Sequence, residues 1–483
     1  MLLEFLALLV TYIVLGTVVA VISRRFGVKS TTEYFVAGYR LGGFLAAMTY
    51  AATTYSAFMM VGLVGFAYAT GVGALGFELA YLLSTITLLA ILAPRVWLMA
   101  RKRGWVSPSE MISDLYDSKV LGMVIAVLYL IALVPYISAQ MIGIGSIFEG
   151  IGIGYVIGII VAAILIFMWI AIAGIWSVAS TDAYQGLWMI LAALTYIAWL
   201  SLYLLPTAHL DLNKVSEILG RAGMLGITKF WSLPTFIAFT LPWLFFAITN
   251  PQVVQRLYMP KSEKSLKRLI QYFAIYGFIY TIIVVFVGLL ARALSESGFI
   301  PMITNRDLVT PALLLLAHPL LASFIYVSIV AAAVSTANSI ILSVASSFVR
   351  DFYERRVRVI NHRTSLLISL CIVTSLVVVA SLVAYFRPGF IVELSVLSSV
   401  ILLPLAPITI TGWVFEKVSN VKIEALSSLL VGFIMALSAA VIYGPKRAFI
   451  TTWVGLPISA WVLIISTVIL LAGLIRSKLS PSK

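Results

Sequence analysis

Two polar clusters and three isolated acids carry most of the chemistry this chain can offer. Residues 49–56 read TYAATTYS, and residues 330–347 read VAAAVSTANSIILSVASS, with Ser335, Thr336, Asn338 and Ser339 close together. Neutral hydroxyl and carbonyl oxygens of this kind are what a hard cation takes as ligands. The same residues also suit plain helix packing, because small side chains let helices approach and Ser or Thr can bond its own preceding turn. Glu78, Asp182 and Glu393 stand inside otherwise apolar runs, where an unpaired carboxylate costs enough to be a functional candidate by default. Other chemistries are excluded. The three histidines, His209, His318 and His362, are scattered, and Cys371 is the only cysteine, so no disulfide or thiolate metal site can form. No phosphate-cradling or zinc-protease motif occurs, which leaves no ATP-driven step and no cofactor.

The elements that must position these groups are membrane helices. Of 483 residues 62% are hydrophobic and 10% charged, with a mean hydropathy of +1.11, a composition that no water-exposed globular surface tolerates. Thirteen apolar stretches long enough to cross a hydrocarbon core follow one another: 3–23, 41–69, 74–99, 120–147, 152–172, 181–205, 236–251, 269–294, 323–348, 364–386, 390–413, 423–443 and 451–475. They predict an all-α integral membrane fold with residues 1–483 as a single transmembrane domain. The first stretch has no basic residue before it and no clear cleavage site, so it reads as a retained span.

An ion held in mid-membrane needs carbonyls bared where a helix breaks inside protein. Two spans look broken. The second carries the 49–56 cluster, and the seventh has Pro242 and Thr249-Asn250-Pro251 within an apolar run. If spans two to six and seven to eleven are two inverted five-helix units, these are the first member of each, although the halves share no obvious identity.

Placing the connections alternately puts 24 Lys/Arg on one side and 8 on the other. By the positive-inside rule the loops around Arg24–Arg40, Arg95–Lys119, Arg256–Arg268, Arg350–Arg363, Lys417–Lys422 and the tail from Arg476 face the cytoplasm of a plasma membrane. The N-terminus then lies outside and the C-terminus inside. The net charge of +14 falls in short runs beside spans, which fits topology and anionic lipid rather than nucleic acid. The run Lys261–Arg268 also suits lipid head groups.

Several motifs, in order along the chain, resemble the sodium:solute symporter family. They are TEYFVAGYRLG (32–42), SPSE (107–110), PYISAQ (135–140), STDAYQ (180–185), NPQVVQR (250–256), VST (334–336) and RDFY (350–353). The resemblance covers nearly the whole chain, with least support in the last two spans. It implies a five-plus-five inverted-repeat core of the LeuT type, with repeats at about 41–205 and 236–413 and peripheral helices at 3–23, 423–443 and 451–475. It also implies a sodium site made by the carbonyls of Ala52, Tyr55 and Ala332 and the side-chain oxygens of Ser335 and Thr336. A second ion site, used by some members, would fall on Asp182, Asn338 and Ser339, with Asn338 replacing the more usual serine; Asp182 equally suits a helix cap within Ser180-Thr181-Asp182. Glu78 resembles the glutamate of the sugar-transporting branch, although Leu79 replaces that motif's tryptophan. Tyr136 and Trp243 match aromatic substrate positions of the proline-transporting branch, where rings suit an apolar ring or short side chain.

The implied function is symport of a small organic solute with sodium, with a small amino acid such as proline preferred and a monocarboxylate or sugar close behind. Proton coupling through Asp182 or Glu78 is the alternative. An integral-membrane enzyme would need acids or histidines clustered in one aqueous loop, and none is visible. A fused sensor has no room in the tail Arg476–Lys483. Glu393 receives no role from the resemblance, and oligomeric state is not legible.

Overall fold

The computed structural model describes residues 1–23, 25, 30–357, 360–415 and 418–479. Arg24, Arg358 and Lys417 of the basic loops, and the tail beyond residue 479, lie outside the described residues. Among the described residues ten helices are long and apolar enough to cross a membrane, and two bent pairs, each taken as one span, raise that number to twelve. The count of thirteen is not reached because the seventh stretch is no single helix. It is divided into Leu233–Leu244, Phe246–Thr249 and Pro251–Arg256.

These breaks follow from local chemistry. The second span runs Gly43–Thr54, stops at Tyr55 with extended backbone, and resumes over Phe58–Thr70 bent by 48°. The N–H groups freed at the break are taken up by side chains: Ser56 Oγ accepts from Phe58 N at 3.1 Å and Gln140 Oε1 accepts from Ala57 N at 3.1 Å. Buried backbone donors left without such partners would be costly. In the seventh stretch Pro242 stays inside a helix that continues to Leu244, so the interruption falls three residues after that proline. The second break is at Asn250, whose extended backbone leads into Pro251 at the first turn of the next helix.

Other boundaries also moved. Spans five and six are one helical run, Tyr155–Trp199, kinked at Gly174, where φ is +55°; as membrane segments they are Tyr155–Ile172 and Gly174–Thr207. Asp182 therefore sits inside a helix, and the capping role open to it in the sequence is removed. The eleventh span bends by 53° between Ile391–Leu402 and Leu405–Val414, next to Pro404. The last span begins at Ile458, after a short hairpin pairing Thr452–Trp453 with Leu456–Pro457, rather than at residue 451.

The ninth span, Pro319–Phe348, is the hub. Its most apolar window is 83% buried, against 28% for the first span, Leu2–Ser23. Small residues on every side of it let the first span and the helices Val134–Gly150, Tyr155–Trp199 and His362–Phe386 pack around it.

Candidate functional site

The second and ninth spans meet where the second one breaks. Ala52 lies in its last helical turn, and its carbonyl accepts from Ser335 Oγ at 2.7 Å and Thr336 Oγ1 at 3.1 Å; Ser335 Oγ also reaches the Ala332 carbonyl at 3.0 Å. All four residues are buried. Tyr55 stands at the break itself, three residues on. Of the five residues, Ala52, Ala332, Ser335 and Thr336 are joined directly by these hydrogen bonds. Every oxygen here is neutral, and the two hydroxyls can rotate to turn lone pairs toward a cation. That is a donor set for sodium rather than for a transition metal.

One turn along both helices lies a second polar layer. Thr53 Oγ1 and Ser339 Oγ are 2.8 Å apart, and Thr49 Oγ1 donates to Asp182 Oδ2 at 2.6 Å. Between them reaches Arg256, wholly buried, donating to Ser339 Oγ at 2.6 Å and facing Asp182 Oδ2 at 3.8 Å. Its place at the head of the basic stretch 256–268 predicts a cytoplasmic loop charge, and the fold instead puts Arg256 in the interior. The signal was its position closing NPQVVQR, a motif whose Gln255 also clamps the ninth span through Ser343 (2.6 Å) and Ser346 (3.0 Å). Asp182 and Ser339 thus meet across this layer, while the side-chain oxygens Asn338 Oδ1 and Asp182 Oδ1 have no hydrogen-bond partner.

Beyond the break an aromatic cluster begins with Phe58. The Trp243 ring stacks on Phe58 (4.8 Å) and on Phe246 (5.3 Å), and Tyr81 meets it edge-on at 5.1 Å. Tyr136 approaches Phe246 at 6.4 Å. Glu78 is buried on the same helix face as Phe77, Tyr81 and Leu82. So Glu78 and Tyr136 come together with Trp243 through Tyr81 and Phe246, and Phe58 connects this region to the break at Tyr55. The Tyr55 ring is held by Phe273 and Tyr276, and its hydroxyl lies where a Cβ on Gly277 would come within 2.1 Å. The sequence does not single out Tyr55 as a side chain, Phe58, Tyr81 or Phe246, because in a chain 12% aromatic nothing local separates these rings from any other packed ring.

Glu393 lies elsewhere. It pairs with Arg306, from the loop helix Arg306–Leu308, whose guanidinium also covers Phe66 (4.9 Å) and Phe390 (4.5 Å). Beside it Asp307 Oδ2 accepts from Ile391 N at 3.1 Å. Burial pushes the Asp307 carboxyl up to about 6, against the pull of Arg306. Among the described residues no group of three His, Cys, Asp or Glu could hold a metal ion.

The model of the sodium:solute symporter family matches residues 34–389, the greater part of the chain. The chain belongs to the sodium:solute symporter family. It is a multi-pass sodium-coupled solute symporter and not an enzyme. A sodium/proline symporter from Staphylococcus aureus (strain NCTC 8325 / PS 47) is 24% identical over 365 residues, covering 71% of this chain and 68% of that one. The solved structure of a sodium-coupled sialic acid symporter, substrate-bound and open outward, superposes with a TM-score of 0.80 at 19% identity, covering 99% of this chain and 98% of that one. Mhp1, a nucleobase-cation-symport-1 family transporter, superposes with a TM-score of 0.55 at 14% identity over 94% and 97% of the two chains. At these identities the structures speak for fold alone: a LeuT-type core of five plus five helices in inverted repeats.

Proposed function

We propose that this symporter binds sodium between the break in its second span and the ninth span, and that inward flow of that sodium drives uptake of a small amino acid such as proline. The observation that carries the ion site is the Ala52 carbonyl receiving both Ser335 and Thr336. A sodium ion replacing those two hydrogen bonds would take the carbonyls of Ala52, Tyr55 and Ala332 with both hydroxyls as its shell. Binding the ion ties two helices together beside the aromatic region and so organises the place where solute is held by Tyr136 and Trp243. The first member of each repeat, within 41–205 and 236–413, is then the broken helix that lines both ligands. The 1–483 chain works as one domain, with the spans near residues 3–23, 423–443 and 451–475 peripheral to it.

Movement of one charge down about 100 mV releases roughly 2.3 kcal/mol, and a sodium gradient adds to it. The layer formed by Asp182, Asn338 and Ser339 already has a positive charge in Arg256, so coupling runs on one sodium per solute. Proline is the preferred solute because the Staphylococcus aureus relative is named for it and because Trp243 and Tyr136 offer ring faces of the right kind. Basic loops set the orientation, with the N-terminus outside and the C-terminus in the cytoplasm of a plasma membrane.

Uptake of labelled proline, other small amino acids, monocarboxylates and sugars by purified protein in liposomes tests this. Accumulation that follows an inward sodium gradient is expected, with a reversal potential fitting one sodium. If no solute responds to sodium, or if a pH gradient alone drives uptake, the proposal fails.

A further inference from the structure

We propose that Glu78 is the seat for a positively charged nitrogen on the solute, which restricts this symporter to amino acids, betaines and amines. The inference rests on the aromatic region being the solute site.

The buried acids of this protein have partners, with one exception among the described residues. Asp182 faces Arg256, Glu393 faces Arg306, Glu110 and Glu354 both face Arg350, and Asp351 faces Arg355. Asp307 accepts a backbone N–H. Glu78 is fully buried, yet neither of its carboxyl oxygens has a hydrogen bond or a cation. It lies seven residues before Thr85 on the buried face of the Gly73–Arg103 helix, and both the Thr85 hydroxyl and the Tyr81 hydroxyl are also without partners.

A carboxylate in this position is kept either for a proton or for a positive charge that arrives from outside the chain. The surrounding groups favour the second. Phe77 and Tyr81 flank Glu78 on its own helix and pack on Trp243 at 5.7 and 5.1 Å; none of the three is cationic, and such rings present electron-rich faces that attract an ammonium group. The Trp243 indole N–H, also unpartnered, is a donor for an oxygen at the solute's other end. A carboxylate-only solute would meet repulsion from Glu78. A sugar would satisfy its oxygens but gain nothing from charge.

The test uses the full-length protein in nanodiscs and liposomes. Binding of proline, glycine betaine, choline, lactate and glucose is measured with sodium present, for the wild type, Glu78→Gln and Glu78→Asp, together with the sodium-induced shift in melting temperature. At least one of the three nitrogen-bearing solutes should bind. Glu78→Gln should weaken that binding more than tenfold while the sodium-induced shift persists, and Glu78→Asp, which keeps the charge, should weaken it less. Selective binding of lactate or glucose, or unchanged affinity for the nitrogen-bearing solute in Glu78→Gln, would overturn the inference. So would intact affinity combined with loss of pH-driven uptake, which would make Glu78 a proton carrier. Absence of any sodium-induced shift in the wild type counts against the symport proposal instead, and the comparison of Glu78→Gln with wild type still decides this one.

Discussion

Replacing Ser335 by alanine separates a sodium ligand from a packing residue. In the structure Ser335 Oγ spans the Ala52 carbonyl at 2.7 Å and the Ala332 carbonyl at 3.0 Å. Its loss leaves the Ala52 carbonyl still bonded to Thr336 at 3.1 Å, so no buried acceptor is orphaned there and the cost to the fold is about 1 kcal/mol, that of an ordinary neutral hydrogen bond. Sodium binding loses more, because an oxygen facing a full charge contributes about 1.5–3 kcal/mol. At roughly 1.4 kcal/mol per decade, the sodium concentration for half-maximal uptake should rise about ten- to one-hundredfold. Thr336→Val, which keeps shape and removes the hydroxyl, should act in the same direction. Ser347→Ala is the control, since Ser347 Oγ only bonds its own preceding turn at Ser343. The assay is solute uptake against external sodium in liposomes, with melting temperature measured in parallel. Ser335→Ala with wild-type sodium dependence and a wild-type melting temperature would remove this site from the mechanism.

Three further outcomes follow from the same geometry. Arg256→Met strands Asp182, with both groups fully buried, so unfolding in detergent should show a loss of about 3–5 kcal/mol that Asp182→Asn partly restores; an undiminished Arg256→Met would mean the pair is not a unit. A Cβ on Gly65 would come within 2.0 Å of the Arg306 carbonyl oxygen, and Gly65→Ala should lower stability by about 1–3 kcal/mol and reduce uptake, whereas wild-type melting would show that this close approach is not needed. Asp307 keeps its proton in the folded protein to about pH 6, against 3.8 for its ordinary value, so the folded state binds more protons between those values. Stability therefore falls by on the order of 3 kcal/mol as pH rises from 4 to above 6, and Asp307→Asn, which can still accept from Ile391 N, should flatten that part of the melting-versus-pH curve; an unchanged slope would assign it to other groups.

How much of this was readable without coordinates depended on the range of the interaction. Apolar runs and the small polar cluster at 49–56 are local signals, and they located the membrane helices and the break near Tyr55. Where two helices join without a loop, as at Gly174, hydropathy shows a dip but not a continuous helix, so sequence alone allows Asp182 a capping role that its place inside Tyr155–Trp199 rules out. Likewise Pro242 marks a break only approximately, because a helix packed on its neighbours tolerates one missing N–H until Phe245. Partners far apart in sequence were the hardest to see. Nothing near Glu393 points to Arg306, 87 residues earlier, and nothing near Asp182 points to Arg256, whose charge in a basic stretch looked like one more loop residue.

The layered arrangement explains why breaks and small residues belong together in this chain. The ninth span is fastened at successive turns, first to Ala52 through Ser335 and Thr336, then to Thr53 and Arg256 through Ser339, then to Gln255 through Ser343 and Ser346. The lower fastenings join it to the seventh stretch through Arg256 and Gln255, and to the second span through Thr53. The uppermost joins it to the second span by two neutral hydrogen bonds, which a cation can replace at little cost because the same oxygens would then be its ligands. In the proposed mechanism sodium acts on the Ala52 joint between the second and ninth spans, while Gln255 keeps the ninth attached to the seventh. Tyr55 and Phe58 follow Ala52 by three and six residues, so in the proposed mechanism a change at that joint passes to the aromatic region around Glu78, which is the physical route from ion to solute.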